Sequence, residues 1–174
     1  FAHLPMILGE DKKRLSKRHG AAGVNEYESM GYQPDALLNY LVLLGWNPGT
    51  DEEIFDLDSM VKNFDIRKVQ KKSATYDQKK FNWISSQHLM KEDSEKVLNR
   101  LASIDPKWGE YKSQDYLMKV IDLIKPRSNS LTDLIDQSQY FFSSPKNFDS
   151  TQLKKVWKQD TSEKIIELKS VLDS

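Results

Sequence analysis

The spacing of the apolar residues constrains the fold more than any other feature of this sequence. From Pro34 onward, apolar residues mostly recur at intervals of three and four, which is the period of an amphipathic α-helix. The pattern is clear in residues 37–44, between a proline that can begin a helix and Gly45, which can end one. Alternating strand patterns are weak and limited to residues 4–8. The sequence therefore predicts a mainly α-helical fold.

Capping residues and helix breakers divide the rest of the chain into shorter helices. Ser, Thr or Asp stands before most apolar segments, and such residues accept hydrogen bonds from the free N–H groups of a first helical turn. The predicted caps are Thr50, Asp93 or Ser94, Ser113, Ser130 and Asp160, and a further segment is expected to begin at Ser150. Asp105-Pro106 interrupts the pattern, since the residue before a proline is displaced from the helical conformation. We expect the cap at Thr50 to begin a short helix that reaches Phe55.

Composition excludes several classes of protein. A hydrophobic fraction of 38% is too high for a disordered chain, whereas 30% charged residues and a mean hydropathy of -0.67 exclude an integral membrane protein. The sequence contains no cysteine, which excludes disulfides and thiol catalysis. Its histidines, His3, His19 and His88, lack the spacing of metal ligands, so we predict no metal site.

The charges cancel over the whole chain but not along it. The 26 Lys and Arg balance 26 Asp and Glu, which taken alone argues against a nucleic-acid partner. Residues 1–20 hold five basic and two acidic side chains, residues 21–61 hold none and eight, and residues 62–80 hold seven and two. A fold that brings both basic stretches to one face would offer phosphate groups a positive surface. The alternative is that each stretch is an ordinary solvated face.

The first basic stretch contains the densest cluster of cations. Five of them lie within positions 12–18, Gly20 and Gly23 follow, and Ser16 adds a hydroxyl. Lysine and arginine in such a loop can neutralise the charge that develops on a phosphate group during its transfer. The composition of the loop leaves two alternatives open. The loop could be a solvated basic turn, or it could be a patch for nucleic-acid binding or nuclear import.

The loop belongs to a longer stretch that matches a known family. It lies in FAHLPMILGEDKKRLSKRHGA and is followed by VNEYESMGYQPDALLNYLVLLGW. This stretch closely resembles the signature loop and downstream segment of bacterial-type glutamyl-tRNA synthetases, which are class I aminoacyl-tRNA synthetases. The family motif KMSKS here reads Arg14-Leu15-Ser16-Lys17-Arg18, with arginine at the first and last positions. The resemblance continues through EIFDLDSMVKNFDIRKV, YDQKKFNW and IKPRSNSLTDLIDQSQYFF, and so covers nearly the whole chain.

The resemblance implies that the loop binds ATP. In the family, the lysine matched by Lys17 stabilises the phosphates while glutamyl-adenylate forms, and backbone near the position of Leu15 touches adenine. Lys17 is therefore the predicted catalytic residue, and Arg14, Leu15, Ser16, Lys17 and Arg18 are the predicted ATP-binding residues. Arg14 departs from the usual lysine, and its planar guanidinium differs from an ammonium in reach and hydrogen-bond geometry. The resemblance further implies that the full-length enzyme uses ATP with Mg²⁺ and attaches glutamate to tRNA(Glu).

The resemblance also implies a domain organisation. We expect residues 1–20 to end a catalytic domain, residues 21–75 to form a helical stem-contact region, and residues 76–174 to form a helical anticodon-binding subdomain. The sequence lacks the HIGH motif, so we expect the Rossmann-type catalytic core outside this chain, together with the family's terminal anticodon-binding subdomain. We therefore predict that the chain alone does not aminoacylate. A bacterial cytoplasmic enzyme is expected, and an organellar enzyme of bacterial type fits equally.

Four side chains downstream of the loop are candidates for tRNA contacts. In many family members the position of Asn82 carries arginine, which helps to recognise the first anticodon base. The neutral Asn82 therefore predicts relaxed reading there, with tRNA(Gln) as a second substrate, and the alternative is an ordinary surface residue. Trp83 is a candidate for stacking on an unpaired base, although its apolar neighbours favour a place in the core. Lys125 and Arg127 lie at a predicted helix C-terminus, where cations favour the helix dipole in any case.

Two rival functions are compatible with parts of this pattern. Glutaminyl-tRNA synthetases share the signature loop but carry β-barrel anticodon domains, whereas the chain downstream of the loop is helical in pattern. That difference favours the glutamyl enzymes. A free-standing RNA-binding or scaffold module without catalysis is the alternative from another class, and the sequence leaves it open.

Overall fold

A computed structural model describes residues 3–16, 23–144 and 149–172, and this part of the chain is mainly α-helical. The described residues form nine α-helices and no β-strand. The helices are α1 (Val24–Ser29), α2 (Pro34–Gly45), α3 (Leu57–Asn63), α4 (Gln78–Lys91), α5 (Ser94–Ile104), α6 (Gln114–Ile124), α7 (Leu131–Ser138), α8 (Ser150–Val156) and α9 (Thr161–Leu172). Short 3₁₀ turns add Ile66–Lys68, Lys125–Arg127 and Gln139–Phe141. The predicted fold class is confirmed.

The chain divides into two compact units. Residues 1–142 contain α1 to α7, and residues 143–174 contain α8 and α9. The boundaries expected near residues 20 and 75 are not tested by this division and stay predictions. Of the described helices, none is both long and apolar enough to span a membrane.

The larger core of the first unit lies between α4, α5, α6 and α7. Its fully buried members are Leu89, Val97, Leu101, Val120, Ile121, Ile124, Leu131 and Leu134. Helices α5, α6 and α7 begin where the sequence predicts, since Asp93, Ser113 and Ser130 each accept a hydrogen bond from a backbone N–H of the following helix. These caps fix the ends of the helices, and the apolar face of each helix then determines how it packs.

A second core joins the start of the chain to α4. Its buried members are Tyr27 of α1, Leu37 and Tyr40 of α2, Tyr76, and Phe81 and Ile84 of α4. Ile7 and Leu15 pack against this core from the basic loop. The loop is therefore seated on the same apolar cluster that holds α4.

The helix predicted from Thr50 to Phe55 is wrong. The structure has no helix there, and α3 begins later, after Asp56, which caps its first turn. The reason is the buried Asn39 of α2, which donates to the Glu53 carbonyl at 3.0 Å and accepts from the Phe55 N–H at 2.9 Å. These two bonds satisfy backbone groups that a helix would otherwise have paired.

Candidate phosphate loop and nucleic-acid interface

The signature loop stands on a tight turn that is closed by its own backbone. Leu8 and Arg14 form an isolated antiparallel bridge, and the Leu15 N–H donates to the Ile7 carbonyl at 2.9 Å. Lys12, near the tip, has a φ of 63°, in the left-handed region. The sequence shows a weak strand pattern at residues 4–8. In the structure these described residues form isolated bridges at Leu8 but no continuous strand.

The root of this loop also pairs with the second basic stretch. The Leu8 N–H donates to the Ala74 carbonyl, and the Tyr76 N–H donates to the Leu8 carbonyl, both at 2.8 Å. Lys12 Nζ adds a hydrogen bond of 3.1 Å to Thr75 Oγ1. Residues 8–14 therefore lie beside residues 74–76, and the fold brings the two basic stretches into contact.

The predicted ATP-binding residues follow directly from this root. Arg14 and Ser16 are exposed, whereas Leu15 is half-buried against the second core. Lys17 and Arg18 lie outside the described residues. An exposed guanidinium and a hydroxyl on an anchored backbone fit the charge and hydrogen-bonding needs of a polyphosphate. The roles of all five residues stay predictions.

Several cations of the second basic stretch are bound to other parts of the protein. Arg67 pairs with Asp65 at 2.8 Å, and the hydrogen bonds from Arg67 lower the pKa of Asp65 to about 2. Lys80 pairs with Glu53 at 2.5 Å, and Lys68 Nζ donates at 3.0 Å to a backbone carbonyl before α3. These cations have protein partners that would compete with RNA phosphates.

Four other lysines of the same stretch are exposed to solvent; Lys62 lies in the last turn of α3, and the other three lie close in sequence to residues 74–76. Lys71, Lys72 and Lys79 are exposed, and no ion pair formed within the described ranges involves them. Lys71 and Lys72 precede the junction at residues 74–76, and Lys79 lies in the first turn of α4. They are the cations of this stretch best placed to bind phosphate groups.

Asn82 lies within a hydrogen-bonded network rather than on an open surface. Its Oδ1 accepts from Tyr32 Oη at 3.0 Å and from Gln78 Nε2 at 2.7 Å. Tyr76 Oη donates to Gln78 Oε1 at 2.7 Å and lies 3.0 Å from Tyr27 Oη. Burial raises the pKa of both Tyr32 and Tyr76, so these hydroxyls stay protonated. The network occupies the oxygen of Asn82, and the predicted reading of an anticodon base stays a prediction.

Trp83 is not a core residue, so the interpretation favoured by its apolar neighbours is wrong. It is 44% exposed, whereas Phe81 and Ile84 are fully buried. Trp83 follows Phe81 by two residues, which places it about 200° around the helix, away from the buried face. Because the indole is exposed, an unpaired base could reach it, and stacking by Trp83 stays a prediction.

The two cations of the turn after α6 have different environments. Lys125 is only 8% exposed, and its ammonium donates to the Glu92 carbonyl at 2.6 Å and to Ser94 Oγ at 3.1 Å. Arg127 is exposed, and its Nη2 donates to Tyr140 Oη at 3.3 Å. Lys125 therefore joins α4, α5 and the turn, and Arg127 is the cation that solvent reaches. Their tRNA contacts stay predictions, and burial favours a structural role for Lys125.

A groove of about 750 Å³ separates the starts of α2, α3 and α5 from the end of α4. His88 lies on its wall, with Nε2 2.9 Å from Asn39 Oδ1. That oxygen can only accept, so Nε2 carries the hydrogen. The lining also includes Asp35, Asp56 and Lys91, and this mixture of signs favours neither an anion nor a cation. In the groove and in the rest of the described part of the chain, no group of three His, Cys, Asp or Glu side chains is arranged to hold a metal ion.

Sequence reasoning missed the residues that join the loop to the second basic stretch. Leu8 and Ala74 act through their backbone atoms, and Thr75 acts through one hydroxyl. Neither charge nor motif marks these positions, and the weak strand pattern at residues 4–8 was the available signal. Long-range backbone pairing depends on the fold, and so it cannot be found from local composition.

Two family models match consecutive parts of this chain. The model described as tRNA synthetases class I (E and Q), catalytic domain, matches residues 1–83. The model described as anticodon binding domain matches residues 95–174. The first match includes the signature loop, the junction and the start of α4.

Bacterial relatives resemble the chain over nearly its whole length. A glutamate–tRNA ligase 1 of Syntrophomonas wolfei is 38% identical over 164 residues, which is 91% of this chain and 32% of that protein. A glutamate–tRNA ligase 1 of Alkalilimnicola ehrlichii is 38% identical over 178 residues, or 99% of this chain and 36% of that protein. The chain thus spans about a third of the length of the curated relatives it matches.

A solved structure agrees with these relatives. The crystal structure of a glutamate tRNA ligase from Elizabethkingia meningosepticum, in complex with its amino acid, is 31% identical and superimposes with a TM-score of 0.84. The alignment covers 100% of this chain and 38% of that chain. The resemblance predicted from the sequence is confirmed.

Proposed function

We propose that this chain supplies the ATP-phosphate loop and the tRNA-binding body of a class I glutamate–tRNA ligase. The premise is its homology to these ligases over nearly its whole length. The reaction is the ATP-dependent attachment of glutamate to tRNA(Glu). The observation that supports the proposal is the hydrogen-bonded junction between residues 8–14 and 74–76. It connects the proposed ATP loop directly to a basic stretch that leads into α4.

In this proposal the loop acts on phosphate groups. ATP, bound with Mg²⁺, supplies the leaving pyrophosphate when glutamate is activated. Lys17 places a positive charge beside the phosphates, and such a charge stabilises the transition state more than the ground state. Leu15 packs on the second core and fixes the backbone from which Ser16 and Lys17 follow. Arg14 and Arg18 add hydrogen-bond donors on either side.

The body of the chain contributes contacts to RNA. Lys71, Lys72 and Lys79 lie exposed near the junction, where phosphates of a folded RNA can approach. Contacts of this kind position an RNA by its backbone and shape, and recognition of sequence requires unpaired bases. We place the reaction in the bacterial cytoplasm, since the relatives are bacterial.

Charging experiments with the full-length ligase that carries this chain test the proposal. We expect glutamate to be attached to tRNA(Glu) only when ATP is present, and the 174-residue chain alone to attach none. RNA binding by a protein that shows no glutamylation in any longer form would contradict the proposal. That result would instead support a free-standing RNA-binding module.

The proposal extends to tRNA(Gln) through Asn82. A neutral amide in place of the family's arginine relaxes recognition of the first anticodon base, so the full-length ligase is expected to glutamylate tRNA(Gln) as well. The two tRNAs also differ at the third anticodon base, which the rest of the ligase must tolerate. Asn82→Arg should sharpen selectivity among first-base variants, by up to the 1–3 kcal/mol that a bidentate arginine contact is worth, roughly, in DNA.

Charging of both tRNAs by the wild type and by Asn82→Arg measures this effect. Asn99→Arg, at an exposed position of α5, is the matched control. Thermal unfolding of each variant shows whether loss of the acceptor for Tyr32 and Gln78 has altered the fold. Outright rejection of tRNA(Gln) by the wild type, or unchanged first-base selectivity in Asn82→Arg, would show that this role of Asn82 is wrong.

A further inference from the structure

The first unit contains a buried hydrogen-bond donor without a partner. Trp46, directly after α2, is 1% exposed, and its ring packs with Phe55 and Met60 in a small core. The indole Nε1 of Trp46 has no acceptor, and within residues 3–16, 23–144 and 149–172 it is the only buried side-chain nitrogen or oxygen without a hydrogen bond. Buried donors are almost always paired, because an unpaired one has lost its bonds to water without replacement. The indole N–H of Trp46 therefore lacks an acceptor that a ligand can supply.

Trp46 lines a pocket through which an acceptor can approach it. The pocket holds about 370 Å³ and is lined mostly by residues 46–53, which follow α2. It continues into a smaller pocket of about 190 Å³, with which it shares Gln70 and Lys80. The smaller pocket reaches residues 74–75, at the junction with the signature loop. Together the two pockets form one groove in the first unit, here named the Trp46 groove.

The charges around Trp46 favour a cation in this groove. Asp51 and Glu52 are exposed, and neither forms an ion pair within the described ranges. Among the described residues that line the larger pocket, Lys80 is the only cation, and it is already paired with Glu53 at 2.5 Å. The two remaining carboxylates repel phosphate groups and attract a basic group. The groove thus fits an occupant that combines a cation with a neutral acceptor for the indole N–H.

We infer that the Trp46 groove binds an extended peptide segment of a partner protein, with an arginine side chain paired to Asp51 and Glu52 and a backbone carbonyl that accepts from Trp46 Nε1. Arginine fits because its guanidinium fork has enough donors to bind two carboxylates at once. A peptide also carries neutral carbonyl acceptors beside the charged side chain. Leu43 and Leu44 offer apolar surface to the rest of the segment. The inference goes beyond the proposed function, because it concerns a protein partner and requires neither ATP nor RNA.

The test follows the indole N–H of Trp46 by nuclear magnetic resonance in the whole 174-residue chain, labelled with nitrogen-15. Replacing each of the four tryptophans in turn by phenylalanine identifies the signal of Trp46. The probe is a capped peptide of alanines with one central arginine. We expect it to move the indole proton of Trp46 downfield, as a new hydrogen bond does, and to leave the signals of the exposed Trp83 and Trp157 in place. The same peptide with citrulline, which keeps the shape of arginine without its charge, should bind about fivefold more weakly.

Substitutions in the chain separate the two contacts. Asp51→Asn together with Glu52→Gln should reduce the affinity for the arginine peptide to that for the citrulline peptide. Glu110→Gln together with Asp136→Asn makes the same change in charge at exposed positions outside the groove, and this matched control should bind as the wild type does. Trp46→Phe keeps an aromatic ring in the small core and should weaken the binding of both peptides. If circular dichroism shows that Trp46→Phe has lost helical structure, the variant at Asp51 and Glu52 decides the question.

These outcomes are independent of the RNA and charging experiments. An indole proton of Trp46 that does not move at high concentrations of the arginine peptide would overturn the inference and leave the proposed function intact. Equal affinities of the wild type for the arginine and citrulline peptides would also overturn it. The same holds if the variant at Asp51 and Glu52 binds the arginine peptide as tightly as the control at Glu110 and Asp136.

Discussion

We propose that Lys17 provides the charge that the loop chemistry requires. Lys12, nearer the tip of the turn, is hydrogen-bonded to Thr75, whereas the side chain of Arg14 is exposed. In the full-length ligase, Lys17→Ala should slow adenylate formation by at least about a hundredfold while tRNA affinity stays within a few-fold, because the charge acts during the chemical step. Pyrophosphate exchange measures this rate. Lys13→Ala removes an exposed cation outside the motif and should retain most of the activity; an unchanged exchange rate in Lys17→Ala would exclude its catalytic role.

Gly31 is required where two parts of the first unit approach each other closely. Its φ is +74°, and its carbonyl accepts the Leu131 N–H at 3.0 Å at the start of α7. An added Cβ would lie 2.9 Å from Thr132 N, and a left-handed backbone costs a non-glycine residue roughly 1–2 kcal/mol. Gly31→Ala should therefore lower the free energy of unfolding by at least about 2 kcal/mol.

Urea denaturation measures the effect, and the chain contains its own control. Gly45, at the end of α2, has no atom within 4 Å of an added Cβ. Gly45→Ala should leave stability unchanged or raise it by up to about 1 kcal/mol. Equal unfolding midpoints for the two alanine variants would show that the close approach at Gly31 does not limit stability.

At the scale of elements, the sequence predicts best where a helix depends on its own residues. Ser113 caps α6 and Ser130 caps α7, as their spacing from the apolar faces indicates. The helix predicted at residues 50–55 is absent for the opposite reason. There the backbone is hydrogen-bonded to Asn39 of α2, a residue that is remote in sequence. A local pattern cannot reveal a competing hydrogen bond from another helix.

His88 connects α4 to Asn39 of α2, and we expect the stability of the fold to depend on pH through this histidine. Burial lowers the pKa of His88 below its ordinary 6.5; Asp35 and Asp56 act to raise it, and Lys91 acts to lower it. The folded state thus binds the proton less tightly than the unfolded chain, so the free energy of unfolding falls as the pH drops below about 6.5. Urea midpoints measured above and below this pH should show the decrease.

Substitution of the histidine identifies the source of this effect. His88→Gln retains a donor for Asn39 and does not titrate, so it should flatten the decrease. His3→Gln, at an exposed position, should leave the decrease unchanged. The same decrease in His88→Gln and wild type would assign it to other groups.

At the scale of the whole molecule, the charge distribution is readable from the sequence but its arrangement is not. The two basic stretches and the acidic one between them follow from counting, and the signature at residues 14–18 identifies the loop. Their contact depends on Leu8 bridging to residues 74–76, across an intervening stretch that forms α1, α2 and α3. Such a pairing brings together residues far apart in sequence, and only the assembled cores fix it.

We infer that this junction creates a face that binds RNA phosphates although the net charge of the chain is zero. Replacing Lys71, Lys72 and Lys79 together by glutamine removes three exposed lysines near this junction. Replacing Lys96, Lys107 and Lys119 by glutamine is a control with the same change in charge elsewhere. The decisive measurement is the affinity of the 174-residue chain for tRNA(Glu) as a function of salt. We predict that the junction variant binds more weakly and that its slope of log affinity against log salt is shallower by about two to three, while the control keeps the wild-type slope. Equal slopes for the junction variant and the wild type, or binding that does not depend on salt, would contradict the claim.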